Sequence, residues 1–516
     1  MGCATTRQNI SKPELTKKHR AKKIVAVKYH EEFLDNNDFK AKQHNISLSP
    51  SGFSYLQDLG SGSYSKVGLY SRGALEDSLY AVKSMPKIIE KSLQDKTKKK
   101  DLVVYDENLK GAIYHELYLL SRLDHPGICK YFTSYENDKN VDAVIEYCHG
   151  ETLDQACAIL PRGYCAAKLN IMYLLCKTLQ YLKNQDVIHR DLKPKNIIIC
   201  EDVNAKLGYS VKLIDFGLAK VSGGDSNYAG SPQFMAPESF TRKSDFCSDV
   251  WSLGVIFYNM ISDTYPFDGD THHDLFEAVS MDFLEFVPRR IWEDTPVEIL
   301  DLIEKMLTKD PKKRIKIGEV LKHGCFQEIQ RFEVNYNLHD NEITKIQKFL
   351  CLSDFSQALL SYSVRYLSHE KVSEAAEKFL CCDKNNLGYI PVIKESKRTS
   401  AKIIGRDTRK LSDLTAAETL MTTKTLTKIH SHKLSYSEFI AAITAREDIL
   451  NEEVAEFLLE DLTTDTSDFE VSQSDLLKSP IFANKHAEIE SNLATLIGNK
   501  AISFEWLKSH ILSLYH

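Results

Sequence analysis

A chain of 516 residues has room for roughly two to four domains, and its 43% hydrophobic and 27% charged content is that of ordinary soluble globular protein. A formal net charge of −6 gives no bulk field that would favour nucleic acid or a strongly acidic substrate. The longest apolar stretch, 250–261, is too short to span a bilayer, and the 12 cysteines include no C-x-x-C pair, so reduced thiols in a cytoplasmic setting are expected rather than disulfides or zinc.

Residues 1–52 are polar and basic with little periodicity, and they read as a tail. The opening Met1-Gly2-Cys3-Ala4-Thr5-Thr6 fits the acylation pattern M-G-x-x-x-[ST], with Gly2 as the acceptor. A single acyl chain anchors only marginally. Cys3 is a candidate palmitoyl site, and Lys17, Lys18, Arg20, Lys22 and Lys23 form a patch suited to anionic lipid. The expectation is peripheral membrane association; a soluble tail is the alternative.

From Phe53 the pattern becomes strand, glycine turn, strand, around Gly60-Ser61-Gly62-Ser63-Tyr64-Ser65-Lys66-Val67. Glycine lets backbone amides approach phosphate oxygens that a side chain would block. The next strand, Tyr80-Ala81-Val82-Lys83, presents a lysine that can neutralise phosphates, and Glu116 in the following helix is the anion to fix it. Then comes His189-Arg190-Asp191-Leu192-Lys193-Pro194-Lys195-Asn196, followed by Asp215-Phe216-Gly217. Phosphoryl transfer from ATP needs one carboxylate to meet the attacking hydroxyl, and a second carboxylate and an amide oxygen to hold magnesium. Further on stand Ala236-Pro237-Glu238, Asp249-Val250-Trp251, and Arg314, before a final amphipathic helix expected over 317–323.

On these motifs residues 53–326 resemble a eukaryotic protein kinase domain, with the α+β bilobal fold that implies. The resemblance makes Asp191 the catalytic base, brings Lys193 to the transferring phosphate, and assigns magnesium to Asn196 and Asp215. Lysine two residues after the aspartate is the serine/threonine-specific pattern, so protein substrates bearing such hydroxyls are expected. ATP would lie on Gly60, Ser61 and Gly62, between Val67 and Ala81, against Lys83 and Glu116. Ile145 resembles the gatekeeper, and Glu146 to Cys148 the hinge that pairs with adenine. Glu238 and Arg314 would form a buried ion pair, and Asp249 would hold the catalytic loop. Ser65 replaces a third glycine, and Lys195 replaces an acid that elsewhere reads basic substrates, a contact Glu151 could partly supply. The short activation segment carries Ser222, Asp225, Ser226, Tyr228 and Ser231, the last expected to touch the catalytic loop.

Residues 327–370 have apolar positions at helical spacing, including Ile343, Ile346, Phe349 and Leu350, with Lys345 and Lys348 between them. Such a helix could occupy a substrate groove or cover a calmodulin-like lobe, and a structural brace is equally consistent with the sequence. Within 371–516, the run from Asp383 to Ile390 resembles the start of an EF-hand calcium loop, with oxygens at Asp383 and Asn385 and a glycine at Gly388. Its twelfth position is Lys394, where calcium needs a carboxylate; Glu395 is one residue late, and Leu387 offers no side-chain oxygen. Three more degenerate loops centre on Leu434 with Glu438, Val471 with Asp475, and Ile502 with Trp506. The whole chain is similar to the calcium-dependent protein kinases: acylated tail, kinase, autoinhibitory junction and an all-α, calmodulin-like EF-hand domain in contact with the kinase. The resemblance implies ATP and Mg2+ as cofactors. For Ca2+ two readings stay open: weak binding at Asp383, Asn385 and Glu438, or an EF-hand architecture that has lost its metal.

Overall fold

A computed structural model describes residues 53–394, apart from 63–64, 73–78, 93–100, 106, 138–139, 203–204, 206, 223–229 and 336–337, then 431–449 and the short pieces 22–24, 401–403, 454, 458, 470–471, 502–503, 509–510 and 513. Gly2, Cys3, Asp225, Ser226, Tyr228, Glu395, Asp475 and Trp506 lie outside the described residues.

Strands β1 (Lys22–Ile24), β2 (Phe53–Ser61), β3 (Lys66–Arg72) and β4 (Leu79–Pro86) are followed by a separate hairpin, β5 (Ile88–Ser92) and β6 (Asp101–Tyr105), and by helix α1 (Glu107–Arg122). With β7 (Tyr131–Glu136) and β8 (Asn140–Glu146) they build one antiparallel sheet in the order β1-β7-β8-β4-β3-β2. Successive strand residues point to opposite faces. Tyr80 and Val82 join Phe132, Tyr135 and Val144 in an aromatic cluster, which leaves Ala81 and Lys83 on the other face.

The second lobe begins with β9 (Glu151–Thr152), α2 (Leu153–Ile159) and α3 (Ala166–Asn184). Next come β10 (Val187–Ile188), β11 (Ile197–Glu201), β12 (Tyr209–Leu213) and β13 (Lys220–Val221). Helix α4 (Pro237–Phe240) leads into α5 (Phe246–Ser262), capped by Asp245 accepting from the Cys247 N–H at 2.8 Å. Trp251, Ile256, Phe257 and Tyr258 are fully buried, so α5 is a core helix, and its polar members Ser248, Asp249, Ser252 and Ser262 are buried with them. No helix among the described residues is long and apolar enough to cross a membrane. Helices α6 (His272–Met281), α7 (Arg289–Trp292), α8 (Val297–Met306) and α9 (Ile317–Val320) complete the lobe. The helix expected to reach 323 stops at Val320, and a 3-10 turn follows at Gly324–Phe326.

Beyond it, α10 (Gln327–Asn335), α11 (Asp340–Leu350), α12 (Asp354–Ser363), α13 (His369–Cys382), β14 (Tyr389–Lys394), β15 (Ala401–Ile403), β16 (Ser431–Ser435), α14 (Tyr436–Ile443) and α15 (Arg446–Ile449) form a second core. Ile346, Phe349 and Leu350 of α11 are buried there with Phe379, Tyr436, Phe439 and Ile440. Of the two placements open for this helix, the structure has it covering the C-terminal lobe, with Lys345 Nζ donating to the Ile443 carbonyl at 2.9 Å.

This region is not purely helical. β14 pairs with β16, placing Ile390 opposite Leu434, and β17 (Glu470–Val471) pairs with β18 (Ile502–Ser503), placing Val471 opposite Ile502. The four apolar loop positions thus meet two by two. At Lys394 the chain is still in strand, paired with Ala401. Ile390 and Val392, two residues apart, are both buried, as one face of a strand requires, and Pro391 at a helix interior would remove a donor.

The two cores meet along α3. Lys177 Nζ donates to the Leu380 carbonyl at 2.6 Å and pairs with Glu333 at 2.8 Å, while the Tyr173 hydroxyl donates to Glu333 at 2.7 Å. Asn184 Nδ2 donates to the carbonyls of Asn385 and Asn386 at 3.2 and 2.7 Å. Gly388 lies against Tyr181 at φ +80°, where a Cβ would fall 2.2 Å from the ring.

Candidate active site

Lys83 projects from β4 into the space between the lobes. Its Nζ lies 2.6 Å from Glu116 on α1 and 2.8 Å from Asp215 just after β12. Burial works against the ammonium, but the two carboxylates outweigh it and hold the Lys83 pKa above its ordinary value. Burial likewise opposes charge on Asp215, and Lys83 prevails, keeping that carboxyl below the usual range. Asp215 adopts φ +62°, a backbone conformation an L residue holds only when its surroundings fix it.

The carboxylate of Asp191 is held from several sides. Oδ1 accepts from the backbone N–H and the hydroxyl of Ser231, each at 2.9 Å. Oδ2 accepts from Lys193 Nζ at 2.6 Å and from Asn196 Nδ2 at 3.2 Å. Lys193 also reaches the Ser231 hydroxyl at 3.1 Å. Ile214 N donates to the Asn196 carbonyl at 2.9 Å, which ties the strand carrying Asp215 to this loop. The loop hangs on α5, because Asp249 accepts from the N–H groups of His189 and Arg190 at 2.8 and 2.9 Å. His189 packs edge-on against Phe216 with ring centroids 4.9 Å apart, and burial pushes its pKa down to about 4. The Arg190 guanidinium donates to the Leu218 carbonyl at 2.7 Å.

Gly60 and Ser61 end β2, paired with Val67 and Lys66, and Gly62 opens the turn to β3, its N donating to the Ser65 carbonyl at 2.8 Å; open space lies where a Gly60 Cβ would be. Val67 sits opposite Lys83 in register, and Ala81 opposite Ile145. The Glu146 side chain turns to the rear, accepting from Lys130 N and Lys212 Nζ, both at 2.9 Å, and its N–H donates to the Lys130 carbonyl at 2.8 Å, so its own carbonyl is the group left for a nucleotide. Cys148 Sγ lies 3.9 Å from the Glu146 carbonyl, and its contact with Cys129 and then burial push its pKa well up.

Lys130 and Lys212 were not legible as partners of the hinge. The available signal was a lysine at an inward position of the apolar strand Tyr209–Leu213, where a buried charge demands a counter-ion.

In the first EF-like loop Asp383 is buried and accepts from Leu387 N at 2.9 Å and Gly388 N at 2.7 Å. Burial raises its pKa, opposed by those two donors. The Asn385 carbonyl faces α3, as above. Glu438 is the third residue of α14 and accepts from Ser435 N at 2.9 Å, closing a capping box. Asp383 and Glu438 therefore belong to different structural units, one loop and one helix start, linked through the β14–β16 pair.

Residues 53–326 match the family described as protein kinase domain. Among curated proteins the chain is similar to calcium-dependent protein kinase 14 of Arabidopsis thaliana, 32% identical over 275 residues that cover 52% of this chain and 50% of that one. It is similar also to calcium-dependent protein kinase 7 of the same plant, 30% identical over 339 residues covering 64% and 60%. A third relative, calcium-dependent protein kinase 10, is 28% identical over 351 residues covering 66% and 61%. The chain thus spans about half to three-fifths of the length of these relatives.

Proposed function

From a chain that belongs to the protein kinase family, we propose a serine/threonine protein kinase that transfers the γ-phosphate of ATP to protein hydroxyls. The observation that carries this reading is the fixed pair of charge centres: Asp191 gripped by Lys193, Asn196 and Ser231, and Lys83 gripped by Glu116 and Asp215. Asp191 orients the acceptor hydroxyl and takes its proton as the new P–O bond forms and the bond to ADP breaks. Lys193 meets the charge on the moving phosphate, and Lys83 neutralises the phosphates left behind. Asn196 and Asp215 offer an amide oxygen and a carboxylate, hard donors of the kind magnesium prefers; the ion, when bound, neutralises phosphate charge. Incubating the purified chain with labelled ATP and magnesium, and with peptides carrying serine, threonine or tyrosine, tests the reading. Label on tyrosine alone, or on none, would refute it.

For the C-terminal region, the pairings Ile390–Leu434 and Val471–Ile502 support an EF-hand-like domain over 371–516, joined through 327–370. The relatives are named calcium-dependent. In this chain the first loop has side-chain oxygens at its first and third positions, Asp383 and Asn385, but Leu387 at the fifth and Lys394 at the twelfth, where calcium needs a bidentate carboxylate. This favours a lobe that braces the kinase over one that responds to calcium through that loop. Activity compared with and without free calcium separates the two. We also propose acylation at Gly2 and Cys3 with peripheral membrane attachment, supported by the sequence pattern; the Gly2→Ala form should leave the membrane fraction of cells expressing it.

A further inference from the structure

We infer that the C-terminal lobe positions the adenine end of the nucleotide cleft from behind, with Glu146, Lys212, Tyr362 and Arg365 as positioning residues. This rests on the kinase reading above for what the cleft holds.

The hinge strand β8 ends at Glu146, whose carboxylate is drawn backwards onto Lys212. Both oxygens lie 2.9 Å from Lys212 Nζ, and only 5% and 14% of the lysine and glutamate side chains is exposed. Burial disfavours each charge, yet each partner holds the other ionised: the Lys212 pKa is raised and that of Glu146 lowered. A buried pair of this kind is a poor source of stability, because desolvation offsets most of its attraction. What it does provide is a single position for the end of the hinge strand.

The C-terminal lobe takes hold of the neighbouring strand. Arg365 Nη1 donates to the Tyr131 carbonyl at 2.8 Å, and the Tyr362 hydroxyl donates to the Phe132 carbonyl at 3.3 Å. β1 pairs with β7 only at Ser134–Glu136, so these two carbonyls lie beyond its reach. Tyr131 stands opposite Ile145 in register, and Glu146 N donates to the Lys130 carbonyl at 2.8 Å. The same turn sends Tyr366 against Phe132, which packs on Tyr80, the register partner of Glu146. One strand therefore separates Arg365 from the backbone that would meet adenine.

A second attachment lies beside the ion pair. Ser437, at the start of α14, donates to Asp124 through its N–H at 3.0 Å and its hydroxyl at 2.7 Å. Its neighbour Tyr436 lines, with Lys212, a cavity of about 60 Å3 between the lobes. The rear of the hinge is thus covered by residues of the C-terminal lobe.

The test uses the full chain. The dissociation constant of a fluorescent ATP analogue with magnesium is measured beside KM for ATP and kcat, in wild type, Arg365→Ala, Arg365→Lys and Tyr362→Phe. Arg365→Ala should weaken nucleotide binding by up to about tenfold, the order of one lost charge-assisted hydrogen bond, while kcat at saturating ATP stays within about twofold. Arg365→Lys should restore part of the affinity, and Tyr362→Phe should show a smaller loss of the same kind. A lower melting temperature with unchanged nucleotide affinity would make the contacts merely structural and overturn the proposal. So would a fall in kcat with KM unaltered. If Arg365→Ala does not fold, Tyr362→Phe, which loses one hydroxyl, carries the test. A wild type that binds nucleotide without transferring phosphate would defeat the kinase reading and leave this one to be decided by the dissociation constants.

Discussion

Arg314 forks onto Glu238 across 76 residues of chain, with N–O distances of 2.6 and 2.9 Å. The guanidinium is wholly buried, donates also to the carbonyls of Thr308 and Cys247, and lies 5.0 Å from the Trp251 ring centre. Deleting one member leaves the other charged and desolvated. Arg314→Leu should therefore lower the unfolding free energy by about 3–5 kcal/mol in urea titrations. A loss below about 1 kcal/mol would show that the pair does not hold the segment after Glu238 to the helical lobe.

Asp191→Asn keeps the shape of the side chain and removes the base. Turnover should fall by about 10²–10⁴, with the melting temperature little changed. Lys83→Met should abolish detectable transfer as well, because Glu116 and Asp215 then face each other without their shared cation. Substantial activity in either purified variant contradicts the assignment.

Asp249 gives a pH signature. Burial pushes its pKa up to about 6 against the pull of the His189 and Arg190 N–H groups, while an unfolded aspartate titrates near 3.8. The folded state binds this proton more tightly, so its contribution to stability is full below about pH 4 and is lost as pH rises through about 6. The stability of wild type relative to Asp249→Asn should accordingly fall between about pH 4 and pH 7, by up to about 3 kcal/mol. A difference that is flat over that range would mean Asp249 titrates normally.

Gly388 couples the C-terminal lobe to α3. Gly388→Ala puts a methyl group 2.2 Å from the Tyr181 ring and leaves an L residue at φ +80°. The backbone alone costs about 1–2 kcal/mol. The expected result is faster hydrogen exchange at residues 383–394, where Asn184 and Gln185 now hold the loop carbonyls. Unchanged exchange would show that the loop does not need this close approach.

The catalytic residues were readable because each arrives within a short run. Asp191, Lys193 and Asn196 lie on one loop, and the local backbone brings them together. Lys83 was readable from strand alternation and Glu116 from its helix. The rear of the hinge was not readable. Glu146 and Lys212 are 66 residues apart on strands whose inner faces meet only after packing. Arg365 and Tyr131 are 234 apart, and the bond ends on a carbonyl, which no side-chain pattern marks.

Hydrophobic spacing marked α11 as a helix with one apolar face, and the EF-hand resemblance grouped Ile390, Leu434, Val471 and Ile502 as members of a repeat. It did not say which surface α11 would cover, because apolar burial has no direction and accepts any complementary face. Tertiary packing chose the C-terminal core, and it turned Glu146 away from the cleft. A buried carboxylate must find its cation, and the nearest one, Lys212, stands behind the hinge.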